Sequence, residues 1–343
     1  MAPRRSEPLA HLGGRLATGL TELSDDLGVL DRSGWWAVVV DFEGSVTCAR
    51  FADVRPAPLP PPAGSWCGPG PGAWTSSLTH EEYVAAVVTL REAIAAGTVY
   101  QANVCRVLRA EVDPSSDGLG LAHAVARGNP APHGGFLRLP GLDVASASPE
   151  TYLRRDDDLL TSRPIKGTGR IAPELSSKDE AENVMIVDLV RNDLGRVSRT
   201  GTVDVPDLLA VERHPGLVHL VSTVTGRLRP DVGWAEIFAA TFPPGSVTGA
   251  PKSSALRLIG ELENGPRGVY CGAVGWVDAD RRTADLAVAI RTFSLRDGIL
   301  AFGTGAGITW GSDPEAEWRE TELKAARLLA LAGGADVKDV EEP

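Results

Sequence analysis

No apolar run in this 343-residue chain approaches the roughly 18 residues needed to span a bilayer, so no membrane-crossing helix is expected. Its opening stretch, MAPRRSEPLAHLGG, has basic residues but no apolar segment behind them. That argues against a secretory signal and for a cytoplasmic protein. Cysteine is sparse. Cys48, Cys67, Cys105 and Cys271 stand far apart with no CxxC pair, which speaks against a zinc site and against a disulfide framework. Basic residues are outnumbered, 34 Lys+Arg against 45 Asp+Glu, for a net charge of −11. The basic footprint of a nucleic-acid surface is therefore absent. An anionic substrate stays possible, because the local field of a site can oppose the net charge. No internal repeat of solenoid period is found.

What is present is enough chain for a substantial core. The stretch WWAVVVDF at 35–42 reads as a buried strand and 46–51 as its partner. From 54 to 72 proline and glycine dominate, which breaks both helix and central strand. We therefore expect a short N-terminal segment and connection over 1–75, a main domain over 76–335, and an acidic tail over 336–343. A helix is expected over 79–97, where Thr79 and Glu82 form a capping box, Val84, Val87, Val88 and Ile94 a stripe, and Gly97 a stop. Further helices are expected over 177–196, 234–241 and 251–263, with a last one capped by Asp313 and opened by Pro314. Strands are expected over 99–112, 136–139, 143–147, 201–205, 219–228, 270–278, 284–295 and 298–304. Strands in runs as well as between helices point to an α+β fold with largely antiparallel sheets.

The stretch from 162 to 196 concentrates the candidate chemistry: SRPIKGTGR, a polar break, then KDEAENVMIVDLVRNDLGR. Lys166 sits in a turn. Ser177 and Glu180 fit a capping box, and Met185, Ile186 and Leu189 recur at helical spacing with Glu182 on the same stripe. A carboxylate on such a stripe is costly unless a cation or hydrogen bonds compensate it. GSVTGAPKSS, around Ser246 and Lys252, invites a phosphate-loop reading, but Ala250 and Pro251 separate Gly249 from Lys252 and the proline removes a cradling N–H. In GTGAGITWGS, the N–H groups of Gly305, Ala306 and Gly307 could cradle a carboxylate, and Arg291 in the expected strand before it could add a bidentate partner. Glu320 and Lys324 make an ordinary i,i+4 pair. Glu150 ends the SPE of a strand end, and His219 lies on a strand, where it serves structure or catalysis alike.

Taken in order, these blocks resemble the chorismate-utilising enzymes, nearest component I of aminodeoxychorismate synthase, with component I of anthranilate synthase beside it. The resemblance runs from YQANVCR at Tyr100 through SPE, PIKGT, VHLVSTVTG, PPGSVTGAPK, RGVYCGAVGW, AIRT and GAGITWGSDPE to EAEWRETELKAARLL. It implies two large, mostly antiparallel sheets packed orthogonally with helices outside. It implies that Glu182 and Glu320 hold Mg²⁺, that Glu150 is the general acid for the C4 hydroxyl of chorismate, and that His219 is an active-site histidine. Ser246, Tyr270, Gly167, Thr168 and Lys324 would contact substrate. Lys166 stands where anthranilate-forming relatives carry alanine, and would be a nucleophile towards C2. An ordinary lysine with a pKa of about 10.4 is almost wholly protonated near neutral pH, so such a role calls for a lowered value. Gln101 stands where water-using relatives carry a lysine base, which favours ammonia. The implied activity is Mg-dependent amination of chorismate at C4, towards 4-aminobenzoate, with ammonia from a separate glutamine amidotransferase subunit. The alternatives are anthranilate synthesis and a non-catalytic chorismate-binding protein. PIKGTGR in place of PIKGTRPR, and PPGS in place of PGGS, depart from the usual pattern.

Overall fold

The computed structural model describes residues 7–169, 177–214 and 217–335. The chain opens with strands β1 (Leu9–Leu12), β2 (Arg15–Ser24), β3 (Trp35–Val40) and β4 (Val46–Pro56). After the Pro/Gly-rich stretch come β5 (Thr75–Ser76), α1 (His80–Ala95), β6 (Gln101–Glu111) and α2 (Gly118–Gly128). A run of strands follows: β7 (His133–Leu139), β8 (Leu142–Ser148), β9 (Thr151–Asp156), β10 (Leu159–Arg163) and β11 (Ile165–Gly169). Then come α3 (Ser177–Gly195), β12 (Asp204–His214), β13 (Leu217–Arg227), α4 (Trp234–Thr241), β14 (Gly249–Ala250) and α5 (Lys252–Leu262). Strands β15 (Ala273–Asp278), β16 (Thr283–Val288), β17 (Thr292–Arg296) and β18 (Ile299–Ile308) precede the last helix, α6 (Pro314–Ala332).

All of these strands pair antiparallel in one strand-rich network, with helices against it. The pairing can be walked without a break. From β13, flanked by β11 and β12, it passes through β10, β9, β16, β15 and β3. It continues through β4, β2, β1, β7, β8 and β17 to β18 and β6, with β5 and β14 at the far edge. The two separate sheets expected from the resemblance are thus joined by continuous hydrogen bonding; the antiparallel, mixed α and β character stands. Strands of the N-terminal stretch belong to the same ladder, β3 against β15 and β1 against β7. All six residues of β3 are buried, as a central strand requires.

The helices follow local chemistry. Thr79 and Glu82 make the expected reciprocal capping box on α1, and Asp313 caps α6 with Pro314 in its first turn. The buried face of α1 is Tyr83, Ala86, Val87 and Leu90, rotated from the expected stripe; Val88 is exposed. On α3 the inward face is Glu182, Ile186, Val190 and Leu194, while Met185 and Leu189 are only half-buried. The expected strand at 201–205 starts later and runs on as β12. The expected strand over 284–295 is two strands, and Arg291 lies between them with φ +51°. Gly305, Ala306 and Gly307 belong to β18, which runs past the expected strand end at 304, and they pair with β6. The Ser177 side chain, the Thr168 side chain and the 336–343 tail lie outside the described residues.

Candidate active site

The two ends of the long ladder curl together, and a cavity of about 440 Å³ opens between them. One wall is β11 and β13, which present Ile165, Lys166 and His219; the opposite wall is β6 and β18, with Asn103 and the glycines from Gly303 to Gly307. Helix α3 contributes Glu182, and α6 contributes Glu317, Glu320 and Lys324. Gly303 has to be glycine here, since a Cβ on it would fall 2.0 Å from the Tyr270 ring. Around Gly307, three polar atoms converge on the point a Cβ would occupy: Asn103 Oδ1 at 3.4 Å, Lys166 Nζ at 3.4 Å and Glu182 Oε2 at 3.5 Å.

Glu150 sits at the junction of β8 and β9, held there by Ser148, whose Oγ donates to Val288 O at 2.6 Å and accepts from Glu150 N at 3.2 Å. Its carboxyl is buried, and burial pushes its pKa up to about 7, against smaller opposing effects of a Ser246 hydrogen bond and the Lys166 charge. Lys166 Nζ donates to the Ser246 carbonyl at 3.0 Å. Ser246 thus touches both residues, its backbone oxygen on the amine and its side chain on the acid. His219 is buried in β13, opposite Thr168 and Glu212 in the strand register. Arg291 lines the cavity, and burial alone lowers its pKa; among the described residues no carboxylate or carbonyl is recorded against its guanidinium. Glu320 and Lys324 do form their i,i+4 pair, at 2.6 Å and about half exposed, and Lys324 also donates to Gly305 O at 3.2 Å.

A lysine amine, a carboxyl poised near neutrality and a guanidinium in one cavity suit an anionic substrate that must lose or gain a proton. The family profile described as "chorismate binding enzyme" matches residues 52–330. The chain belongs to the chorismate-binding enzyme family. Aminodeoxychorismate synthase of Streptomyces griseus is 40% identical over 92% of this chain and 44% of that protein. Anthranilate synthase component 1 of Aquifex aeolicus is 39% identical, over 75% of this chain and 54% of the relative. Aminodeoxychorismate synthase component 1 of Escherichia coli is 37% identical, over 75% and 58%. The chain thus spans about half the length of the curated relatives it matches. Among solved structures, anthranilate synthase component I from Streptococcus pneumoniae superposes with a TM-score of 0.72 at 26% identity, over 96% of this chain and 83% of that one. A putative 2,3-dihydroxybenzoate-specific isochorismate synthase from Bacillus anthracis gives 0.79 at 24% identity, over 96% of both chains, and speaks to fold alone.

In this member of the family the cavity gathers Glu150, Lys166, Gly167, Glu182, His219, Ser246, Tyr270, Arg291, Gly305 to Gly307, Glu320 and Lys324. Gln101 is not among its lining residues. It is fully buried on β6, and neither amide atom finds a partner among the described residues; Asn103, two residues on and on the same face, lines the cavity instead. Sequence reasoning also passed over Asp179, Glu317 and Leu323. The signal was present. Asp179 and Glu317 each precede a candidate glutamate by three residues, one helical turn on the same face. The donor chemistry suits a hard cation: Glu182 and Glu320 offer carboxylate oxygens from two helices, and Asn103 Oδ1 is a buried oxygen without a partner among the described residues.

Proposed function

We propose that the chain aminates chorismate at C4, as component I of an aminodeoxychorismate synthase. The observation that carries this reading is Lys166. Its amine points into the substrate cavity, anchored on the Ser246 carbonyl beside the raised carboxyl of Glu150. A nucleophile and an acid sharing one anchor are what a displacement with a departing hydroxyl needs. In this scheme the Lys166 amine bonds to C2 and gives up one proton to solvent, the C4–O bond breaks, and the Glu150 proton leaves with the oxygen as water. Ammonia then bonds to C4, the C2–N bond to Lys166 breaks as a proton passes from the new ammonium to the released lysine nitrogen, and Glu150 takes a proton back from solvent. The net change is hydroxyl for amine.

Arg291 and Lys324 supply cationic partners for the substrate carboxylates, and the β18 wall from Gly305 to Gly307 keeps that side open to a flat ring. His219 orients the substrate from β13. Glu182 and Glu320 would hold Mg²⁺, whose charge would offset that of the substrate carboxylate. Ammonia would come from a separate glutamine amidotransferase chain. Anthranilate synthesis is the competing reading, because a relative of that name is 39% identical. The two part at the product. With chorismate, Mg²⁺ and ammonium salts the chain should yield 4-amino-4-deoxychorismate by chromatography and mass spectrometry. Anthranilate as the main product overturns the proposal.

A further inference from the structure

One buried ion pair outside the cavity is wired to the backbone that carries it. Arg267 lies beyond α5, and its side chain is 1% exposed; its partner Glu263 is 6% exposed. The guanidinium places four of its five N–H groups on acceptors. Nε donates to Glu263 Oε2 at 2.8 Å, and Nη2 donates to Glu263 Oε1 at 2.6 Å and to Asn103 O at 3.3 Å. Nη1 donates to Val247 O at 2.9 Å, and the group lies over the Phe42 ring at 4.2 Å. Glu263 Oε1 also accepts from Cys105 N at 2.9 Å. The pair therefore grips three backbone points, two on β6 and one on the residue after Ser246.

Stability is a poor explanation for such a pair. Well-packed apolar residues of similar volume do as well or better in a buried site. What the pair fixes is a spacing. It sets the loop of Ser246 against the β6 wall, and Asn103 Nδ2 adds a long contact to Ser246 O at 3.5 Å. That loop anchors Lys166 through its carbonyl and Glu150 through its side chain. A shift of the loop moves amine and acid relative to each other, and a misplacement of about 1 Å costs roughly 10²-fold in rate.

We propose that Arg267 and Glu263 form a positioning pair that holds the Ser246 loop at the distance where Lys166 and Glu150 act on one substrate. The inference rests on the reading that these two residues perform the chemistry. Arg267→Lys keeps the charge and loses the fork, and Glu263→Gln keeps the size and loses the charge. In each, kcat for chorismate consumption should fall by about 10²-fold while KM for chorismate stays within a few-fold. A groove lined by Phe42, Glu43, Leu256, Ile259, Glu263 and Arg267 reaches the pair from outside. Millimolar guanidinium should therefore restore at least part of the kcat of folded Arg267→Ala. Wild-type kcat in Arg267→Lys, a loss carried wholly by KM, or a folded Arg267→Ala that guanidinium does not help each overturns the proposal. If Arg267→Ala does not fold, the two conservative variants decide. Product identity separates this test from the functional reading: a wild-type product other than the C4 amine refutes that reading, while the kcat comparison still judges the pair.

Discussion

At the scale of single residues, Lys166 and Glu150 carry the sharpest expectations. Lys166→Ala removes the amine and leaves the rest of β11 as it is. The C4 amine should disappear, while chorismate binding and the fold persist, because Lys166 adds one hydrogen bond and little core. Intact-protein mass spectrometry with chorismate and no ammonia should show an adduct on the native chain and none on the variant. Native-rate C4 amination by Lys166→Ala would remove the nucleophile. Glu150 gives a pH expectation with a definite sign. Burial raises its pKa from 4.5 to about 7, so the folded chain binds a proton more readily than the unfolded one in that window. Stability conferred by the neutral form is complete below about 4.5 and is lost as pH rises through about 7. Glu150→Gln should therefore match the native chain in stability near pH 4 and exceed it above pH 8, by roughly 3 kcal/mol at most. Catalysis should fall on the alkaline side of about 7, where the acid has lost its proton. Denaturant titrations at both pH values and a kcat profile check these expectations.

At the scale of elements, the cavity depends on what β18 leaves out and on what two helices bring. Gly303→Ala puts a methyl group 2.0 Å from the Tyr270 ring, so the ring or the strand must move. We expect a loss of about 1–3 kcal/mol in denaturant unfolding together with lost activity. Gly311→Ala, with nothing within 4 Å, should do neither. The metal expectation belongs to α3 and α6 jointly. Replacing Glu182 or Glu320 by Gln should leave circular dichroism unchanged and cut turnover at least 10²-fold, with a raised Mg²⁺ requirement. Full activity of both variants in excess EDTA would dismiss the site. Lys252, from the motif that mimics a phosphate loop, instead pairs with buried Asp193 of α3 at 2.7 Å and donates to Thr241 O at 2.8 Å. Its lysine ties α5 to α3 and α4.

For the whole molecule, the expectation concerns nitrogen. The chain carries no cysteine in a nucleophile elbow with a following histidine and glutamate, and Cys48, Cys105 and Cys271 are buried. Given glutamine alone, the isolated chain should make no aminated product; given ammonium, it should. Glutamine-dependent amination by the pure chain would refute this.

Much of this molecule was legible in its amino-acid order, because local rules govern it. A capping box on α1, an aspartate cap with proline behind it on α6 and residue patterns typical of strands place those helices and most strands, and the spacing of Glu320 and Lys324 fixes their contact whatever the rest does. The expected strand ends at 304, whereas β18 runs on through Gly305 and Gly307, and Arg291 breaks the expected strand over 284–295. A strand that needs glycine for close approach to a neighbour looks, in sequence, like a turn, and the neighbour is named only by tertiary packing. The same holds for Gln101 against Asn103: period-two alternation puts both on one face, but depth in the fold decides which reaches the cavity. Above all, the sequence by itself supplied the candidate residues, and the closing of one antiparallel ladder decided that most of them line one cavity. Strands β11 and β13 and strands β6 and β18 lie at opposite ends of that ladder. Long-range pairing, which no local pattern encodes, brings Lys166 within reach of the β18 wall.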